Sequence, residues 1–119
     1  MTDFVERIFE WNKARDNTNF TTSLEALMLV EEVEEMAEAQ TDAGLLDAVA
    51  DIMFVAVGTL FKACKKYGIE PDALMAIVCD ANDKKGRKKN SEGKILKAAD
   101  FEKPDAPGGA IDKLLESVK

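Results

Sequence analysis

The chain contains no histidine, and that absence removes more chemistry than any other feature of its composition. Without imidazole there is no Ser-His or Cys-His catalysis within one chain, no His-ligated zinc, and no Glu-x-x-His di-iron site of the ferritin-like kind. Any metal must be held by oxygen, which points to Mg²⁺, Mn²⁺ or Ca²⁺. Cysteine is nearly as scarce. Cys64 and Cys79 allow at most one bridge, lack the CxxC spacing of redox and zinc motifs, and read as buried reduced thiols on helices. Long hydrophobic runs are missing as well: the most apolar stretch, around Ile52–Phe61, is too short to span a bilayer. Asp3 and Glu6 interrupt any apolar leader, so a cytoplasmic protein with no membrane partner is expected. Excess positive charge is lacking too. The formal net charge of −7 argues against sequence-independent binding to nucleic acid.

What is present is a chain of 119 residues, 46% apolar and 33% charged, the size and balance of one soluble domain over residues 1–119. No strand-like alternation stands out, and helical spacing recurs. A first helix is expected from Asp3 to about Arg15, with Phe4, Ile8 and Trp11 inward. Thr22-Ser23-Leu24-Glu25 resembles a capping box, so a second helix should run from Ser23 to about Thr41. Asp42-Ala43-Gly44 reads as a break, followed by a very apolar third helix from Leu45 to Tyr67 that ends at Gly68. Pro71 opens a fourth helix to about Lys85, with Leu74, Ile77, Val78 and Ala81 inward. Turns are expected at Asn90–Gly93 and Pro104–Gly109, and a short amphipathic helix from Ala110 to about Val118 closes the chain. The fold class is all-α, a bundle of four to five helices.

Charge is distributed unevenly along these helices. From Glu31 to Asp51 there are eight acidic residues and no Lys or Arg, whereas Lys84, Lys85, Arg87, Lys88, Lys89, Lys94 and Lys97 face Glu92 alone. An acidic half and a basic stretch in one domain suggest a metal site facing a polyanion. At 100° per residue, Leu24, Leu27, Met28, Glu31, Glu35 and Glu38 share one arc of the second helix, which places Glu31 and Glu35 on the core side and Glu32 at the edge. Asp47, Asp51, Phe54 and Gly58 share a face of the third helix. Solitary carboxylates in apolar helices cost several kcal/mol unless paired or bound to a cation. The competing reading is a solvated acidic face for Glu31–Glu38 and a salt-bridged core aspartate for Asp51. Two such helices joined by a short turn would pack antiparallel and bring both carboxylate sets around one or two hard cations.

Glu31-Glu32-Val33-Glu34-Glu35 followed by Asp47-Ala48-Val49-Ala50-Asp51 resembles the metal motif of the all-α nucleoside triphosphate pyrophosphohydrolases, the MazG-like and phosphoribosyl-ATP pyrophosphohydrolase-like superfamily, written EExxE, a spacer, then ExxD. The second half departs from it, since Ala48 stands three residues before Asp51 and Asp47 is the nearest substitute. Ala81-Asn82-Asp83-Lys84-Lys85 resembles the superfamily's SNxxK segment, and Glu92–Lys97 with Phe101 and Pro104-Asp105 resembles its GKxxK-type continuation. The resemblance covers roughly residues 20 to 105, with metal helices at about 23–41 and 45–67 and a substrate segment at 82–97.

The resemblance implies hydrolysis of a nucleotide between its α- and β-phosphates, giving a monophosphate and pyrophosphate, with Mg²⁺ as cofactor and Mn²⁺ as its substitute. It implies Glu32, Glu35 and Asp51 as metal ligands, and Glu31 and Asp47 either as ligands or as groups that orient water. Glu31 and Glu32 are the candidates for the catalytic base. Asn82, Lys85 and Lys94 are the candidates for phosphate and sugar contacts, and Trp11 either stacks on a base or belongs to the core. The substrate is either a (d)NTP or a phosphoribosyl-nucleotide; a rival reading is a non-catalytic metal-binding helical module that has lost activity at Ala48. Four helices of this size leave apolar surface to cover, so a homo-oligomer is expected, a dimer or a tetramer of two dimers.

Overall fold

The computed structural model describes residues 3–86, 88–96 and 107–119. Arg87, Lys97, Phe101, Pro104 and Asp105, and with them the first half of the expected break before the last helix, lie outside the described residues. Within them the chain is helical: α1 Phe4–Ala14, α2 Thr22–Glu38, α3 Asp42–Tyr67, α4 Pro71–Asp83 and α5 Gly108–Ser117. It divides into two compact units, residues 1–67 and 68–119.

In the first unit, α1 and α2 both pack on α3. Asp3 caps α1 by accepting from the Val5 amide at 2.9 Å. Ile8 is buried and Phe9 meets Phe61 at 5.3 Å between ring centroids. Asn12, only 2% exposed, donates through Nδ2 to the Ile8 carbonyl at 2.8 Å and accepts from Asn17 Nδ2 at 2.7 Å. Gly58 of α3 makes room for it: a Cβ there would stand 3.3 Å from Asn12 Nδ2.

Three details of α2 and α3 differ from the sequence-based expectation. The capping box does not form, because α2 starts at Thr22 behind Thr21 with no side-chain cap, and the Glu25 carboxylate is engaged elsewhere. α2 stops at Glu38, and α3 begins at Asp42 rather than Leu45. Thr41, expected at the end of α2, instead accepts from the Gly44 amide at 3.0 Å, and Asp42 places negative charge in the first turn of α3, where the helix dipole favours it. The third difference is rotational. Leu24, Leu27, Val30 and Val33 of α2 are each about half exposed, while Glu25 is buried and Met28, Leu29, Glu32 and Met36 are half-buried. Glu32 therefore faces inward, and Glu31 and Glu35 are exposed, the reverse of the periodicity reading.

On the inward face, Glu25 meets two partners from α3. Lys62 Nζ lies 2.7 Å from Glu25 Oε1 and donates to Oε2 at 2.9 Å, and Thr59 Oγ1 donates to Oε1 at 3.0 Å. Both ions are at least 95% withdrawn from solvent. Since residues 25 and 62 meet at one end and 35 and 51 at the other, α2 and α3 run antiparallel. α3 is long and apolar enough on length and composition to cross a membrane. α1 and α2 pack on it and Lys62 is buried there, while Leu45, Leu46, Val49, Met53 and Phe54 of the same helix stay exposed. It ends at Tyr67 where expected, with Gly68 at φ 68° in the left-handed region that glycine adopts without strain.

In the second unit, Pro71 occupies the first turn of α4, Ala81 is buried, and α4 packs on α5. Cys79 is exposed rather than buried, because it flanks the Leu74–Ile77–Val78–Ala81 stripe instead of lying on it; Cys64 on α3 is buried as expected. The Asn90–Gly93 turn forms: Asn90 Oδ1 accepts from the Glu92 and Lys94 amides, Gly93 takes φ 87°, and an isolated bridge pairs Lys89 with Ile95.

Candidate metal centre

At the α2–α3 loop end of the seam, one carboxylate oxygen from each of Glu32, Glu35 and Asp51 lies within 4.8 Å of the other two. Glu32 and Glu35 are one helical turn apart on α2, and Asp51 comes from the facing stretch of α3. Among the described residues, Glu32 Oε2 is a buried side-chain oxygen that no donor reaches. Burial pushes the Glu32 carboxyl above its ordinary value of 4.5, and the negative charges of Glu35 and Asp51 add to the rise. A hydrogen bond with Glu35, which forms only when the proton is present, and the charge of Glu31 push the same way.

Three converging carboxylates with no cation among them are an unfavourable arrangement for the chain alone. A small oxygen-seeking dication is what such a donor set fits: it would neutralise the charge and give the shut-off Glu32 oxygen a partner. The all-oxygen set suits Mg²⁺, Mn²⁺ or Ca²⁺ and gives a soft metal no thiolate or imidazole.

The other expected residues lie differently. Glu31 and Asp47 are exposed and do not join the three-carboxylate set. Ala48, at the departure from the ExxD pattern, is buried. Trp11 is 40% exposed, not core; its ring meets Phe54 edge-on at 5.1 Å, and the Arg15 guanidinium sits 4.3 Å from its centroid. Phe4, Arg7, Ile8, Trp11, Ala50, Met53 and Phe54 line a pocket of about 420 Å³, with Ala50 next in sequence to Asp51. Asn82, Lys85 and Lys94 all belong to the second unit and are exposed. Asn82 Nδ2 donates back to its own helix at the Val78 carbonyl, 2.9 Å away, and Lys94 sits on the turn organised by Asn90.

Sequence reasoning missed the ion pair and the Asn12–Gly58 contact. Two signals were there to read: Lys62 is a lone cation in an otherwise apolar stretch of α3, and Glu25 lies seven residues, two turns, before Glu32.

No curated protein matches the chain. The sequence pattern of the phosphoribosyl-ATP pyrophosphohydrolase family does, over residues 2–82, a span that includes all three clustered carboxylates. A match over that much of an all-helical chain settles its kinship: the protein belongs to the phosphoribosyl-ATP pyrophosphohydrolase family, hydrolases of phosphoric anhydrides within the all-α NTP pyrophosphohydrolase superfamily.

Proposed function

We propose that the protein hydrolyses a (d)NTP between the α- and β-phosphates, giving the monophosphate and pyrophosphate, with Mg²⁺ held by Glu32, Glu35 and Asp51. The observation that carries this reading is the convergence of those three carboxylates around a buried oxygen without a donor. Bound Mg²⁺ would offset charge on the phosphate chain and acidify the attacking water. Glu32, Glu35 and Asp51 fix the cation's place on two rigid helices. Glu31 and Asp47 are the exposed carboxylates that flank the set, and Glu31 lies close enough to act on the Glu32 carboxyl. Either can orient water or accept its proton as oxygen bonds to the α-phosphorus and pyrophosphate departs with the bridging oxygen. Trp11 and Phe54 would hold the base in their pocket, on the Trp11 face that Arg15 does not cover. The sequence resemblance alone puts Asn82, Lys85 and Lys94 forward for phosphate and sugar contacts.

The family match favours a second substrate, a phosphoribosyl-nucleotide triphosphate, cut at the same bond. Pyrophosphate release over a panel of NTPs, dNTPs and phosphoribosyl-ATP with Mg²⁺ decides between them. No turnover of any nucleotide at high enzyme, together with no Mg²⁺-dependent thermal shift, sinks the enzyme reading in favour of a non-catalytic module.

Leu24, Leu27, Val30 and Val49 are half-exposed and Leu46 is 69% exposed, apolar area that a second copy of the chain would cover. This favours a homo-oligomer, a dimer or a tetramer of two dimers. A monomer by light scattering at micromolar concentration contradicts it.

A further inference from the structure

α2 carries apolar residues on both faces: Leu24, Leu27, Val30 and Val33 are about half exposed, while Met28, Leu29 and Met36 are half-buried. Hydrophobic burial therefore does not choose which face meets α3. Nor does it fix how far α2 slides: of the α2 residues only Met28 reaches the cavity of about 170 Å³ at the middle of the seam, beside Val55 and Gly58 of α3, and its contacts there are non-directional, the polar lining coming from Asn12, Asn17 and Lys62 on other elements. A slip of one turn, about 5.4 Å, exchanges one apolar contact for another. The Glu25–Lys62 pair has no such freedom. Both ions are buried, the contact uses both carboxylate oxygens, and Thr59 adds a third hydrogen bond. Any other rotation or register strands a bare charge in the seam, the most costly outcome for a buried ion.

We infer that Glu25 and Lys62 are positioning residues: their ion pair selects the face and the axial register of α2, and so holds Glu32 and Glu35 opposite Asp51. On α2 the pair lies seven residues from Glu32, and on α3 eleven from Asp51, two and three helical turns along the same seam. Neither residue touches the carboxylate cluster. The inference rests on the cluster being a metal site only for its functional consequence; the register claim stands by itself.

The test replaces the pair by Glu25→Leu with Lys62→Met, apolar side chains of similar size that spare the chain an unpaired buried ion. Spin labels go at Ser23 and Leu46, both exposed, in a Cys79→Ser background that leaves Cys64 buried. Labelled chain is diluted with unlabelled chain, and dipolar distances are measured without metal. The distance should broaden or move by about one turn's rise, about 5 Å, and Mn²⁺, titrated by its electron paramagnetic resonance signal, should bind at least tenfold more weakly. The charge-reversed pair, Glu25→Lys with Lys62→Glu, should return both readouts to within threefold of the parent affinity and to the parent distance. An unchanged distance in the apolar pair overturns the register claim; a moved distance with unchanged Mn²⁺ affinity overturns the positioning claim. If the apolar pair does not fold, failure of the reversed pair to keep the parent distance overturns the inference as well. A parent protein that binds no Mn²⁺ refutes the metal reading instead, while the distance still decides the register.

Discussion

Glu25 and Glu32 lie two turns apart on α2, both turned toward α3, and α3 treats them in opposite ways. Opposite Glu25 it offers the Lys62 ammonium and the Thr59 hydroxyl, so that the buried carboxylate is fully engaged. Opposite Glu32 it offers Asp51, another acid, with Glu35 beside it, and leaves an oxygen buried without a donor. The same pair of helices compensates a buried carboxylate at one end and withholds compensation at the other. The uncompensated end is thus not a failure of packing. Under the proposed function it is where a bound dication would supply the missing charge, and the compensated end shows how little sequence it takes to supply such charge internally: one lysine at the facing position.

The sharpest way to break this contrast is to disable one member of the open set. Asp51→Asn or Glu35→Gln should leave the fold intact and lower pyrophosphate release by about a thousandfold or more, the scale of losing a group that acts in the transition state. The check is steady-state pyrophosphate production together with circular dichroism. Removing compensation at the closed end should do the converse. Lys62→Met leaves Glu25 buried and alone and should cost about 3–5 kcal/mol of stability, read from a urea melt. Thr59→Val removes only one hydrogen bond to the same charge and should cost about 1.5 kcal/mol, so its midpoint should fall between those of the parent and Lys62→Met.

Glu32→Gln gives the smallest and least expected effect. Because the folded state holds the Glu32 proton more tightly than the unfolded chain, its contribution to stability is fully present below the ordinary value of 4.5 and is lost as pH rises through the raised folded value. Once pH has risen past that raised value, the metal-free protein carries an ionised carboxylate among like charges. The amide variant should melt a few degrees higher than the parent at pH 7.5 in chelator, with the gap closing as pH falls. The order should invert in excess Mg²⁺, which the variant no longer uses fully. Differential scanning fluorimetry across pH, with and without Mg²⁺, measures all of this, and a variant that melts below the parent in chelator contradicts the raised Glu32 pKa.

Much of this was legible in the chain because the relevant chemistry is local. Gly68 and Pro71 mark the end of α3 and the start of α4 through backbone geometry carried by single residues. Glu32 and Glu35 come together because one helical turn separates them, so spacing alone finds the pair. The rotation of α2 was not legible. Its periodicity is ambiguous, since apolar residues surround the helix, and the deciding contact joins residues 37 positions apart. The start of α3 was misplaced for a related reason: Asp42-Ala43-Gly44 has the composition of a turn, and the Thr41 hydroxyl converts it into a first helical turn. Local signals set where elements begin and end; a long-range polar contact set which way one of them faces.

Gly58 has a consequence for how this sequence can change over time. It stands where α3 passes the buried side chain of Asn12, so that a Cβ would lie 3.3 Å from Asn12 Nδ2. The two positions are therefore not independently mutable. A methyl at 58 asks the Asn12 amide to give by a few tenths of an ångström, a demand that eases once residue 12 has shrunk, whereas shrinking residue 12 first leaves a hole and removes the acceptor of the Asn17 amide. In a library that varies both sites, survivors should be enriched in correlated pairs over random combinations of the two positions.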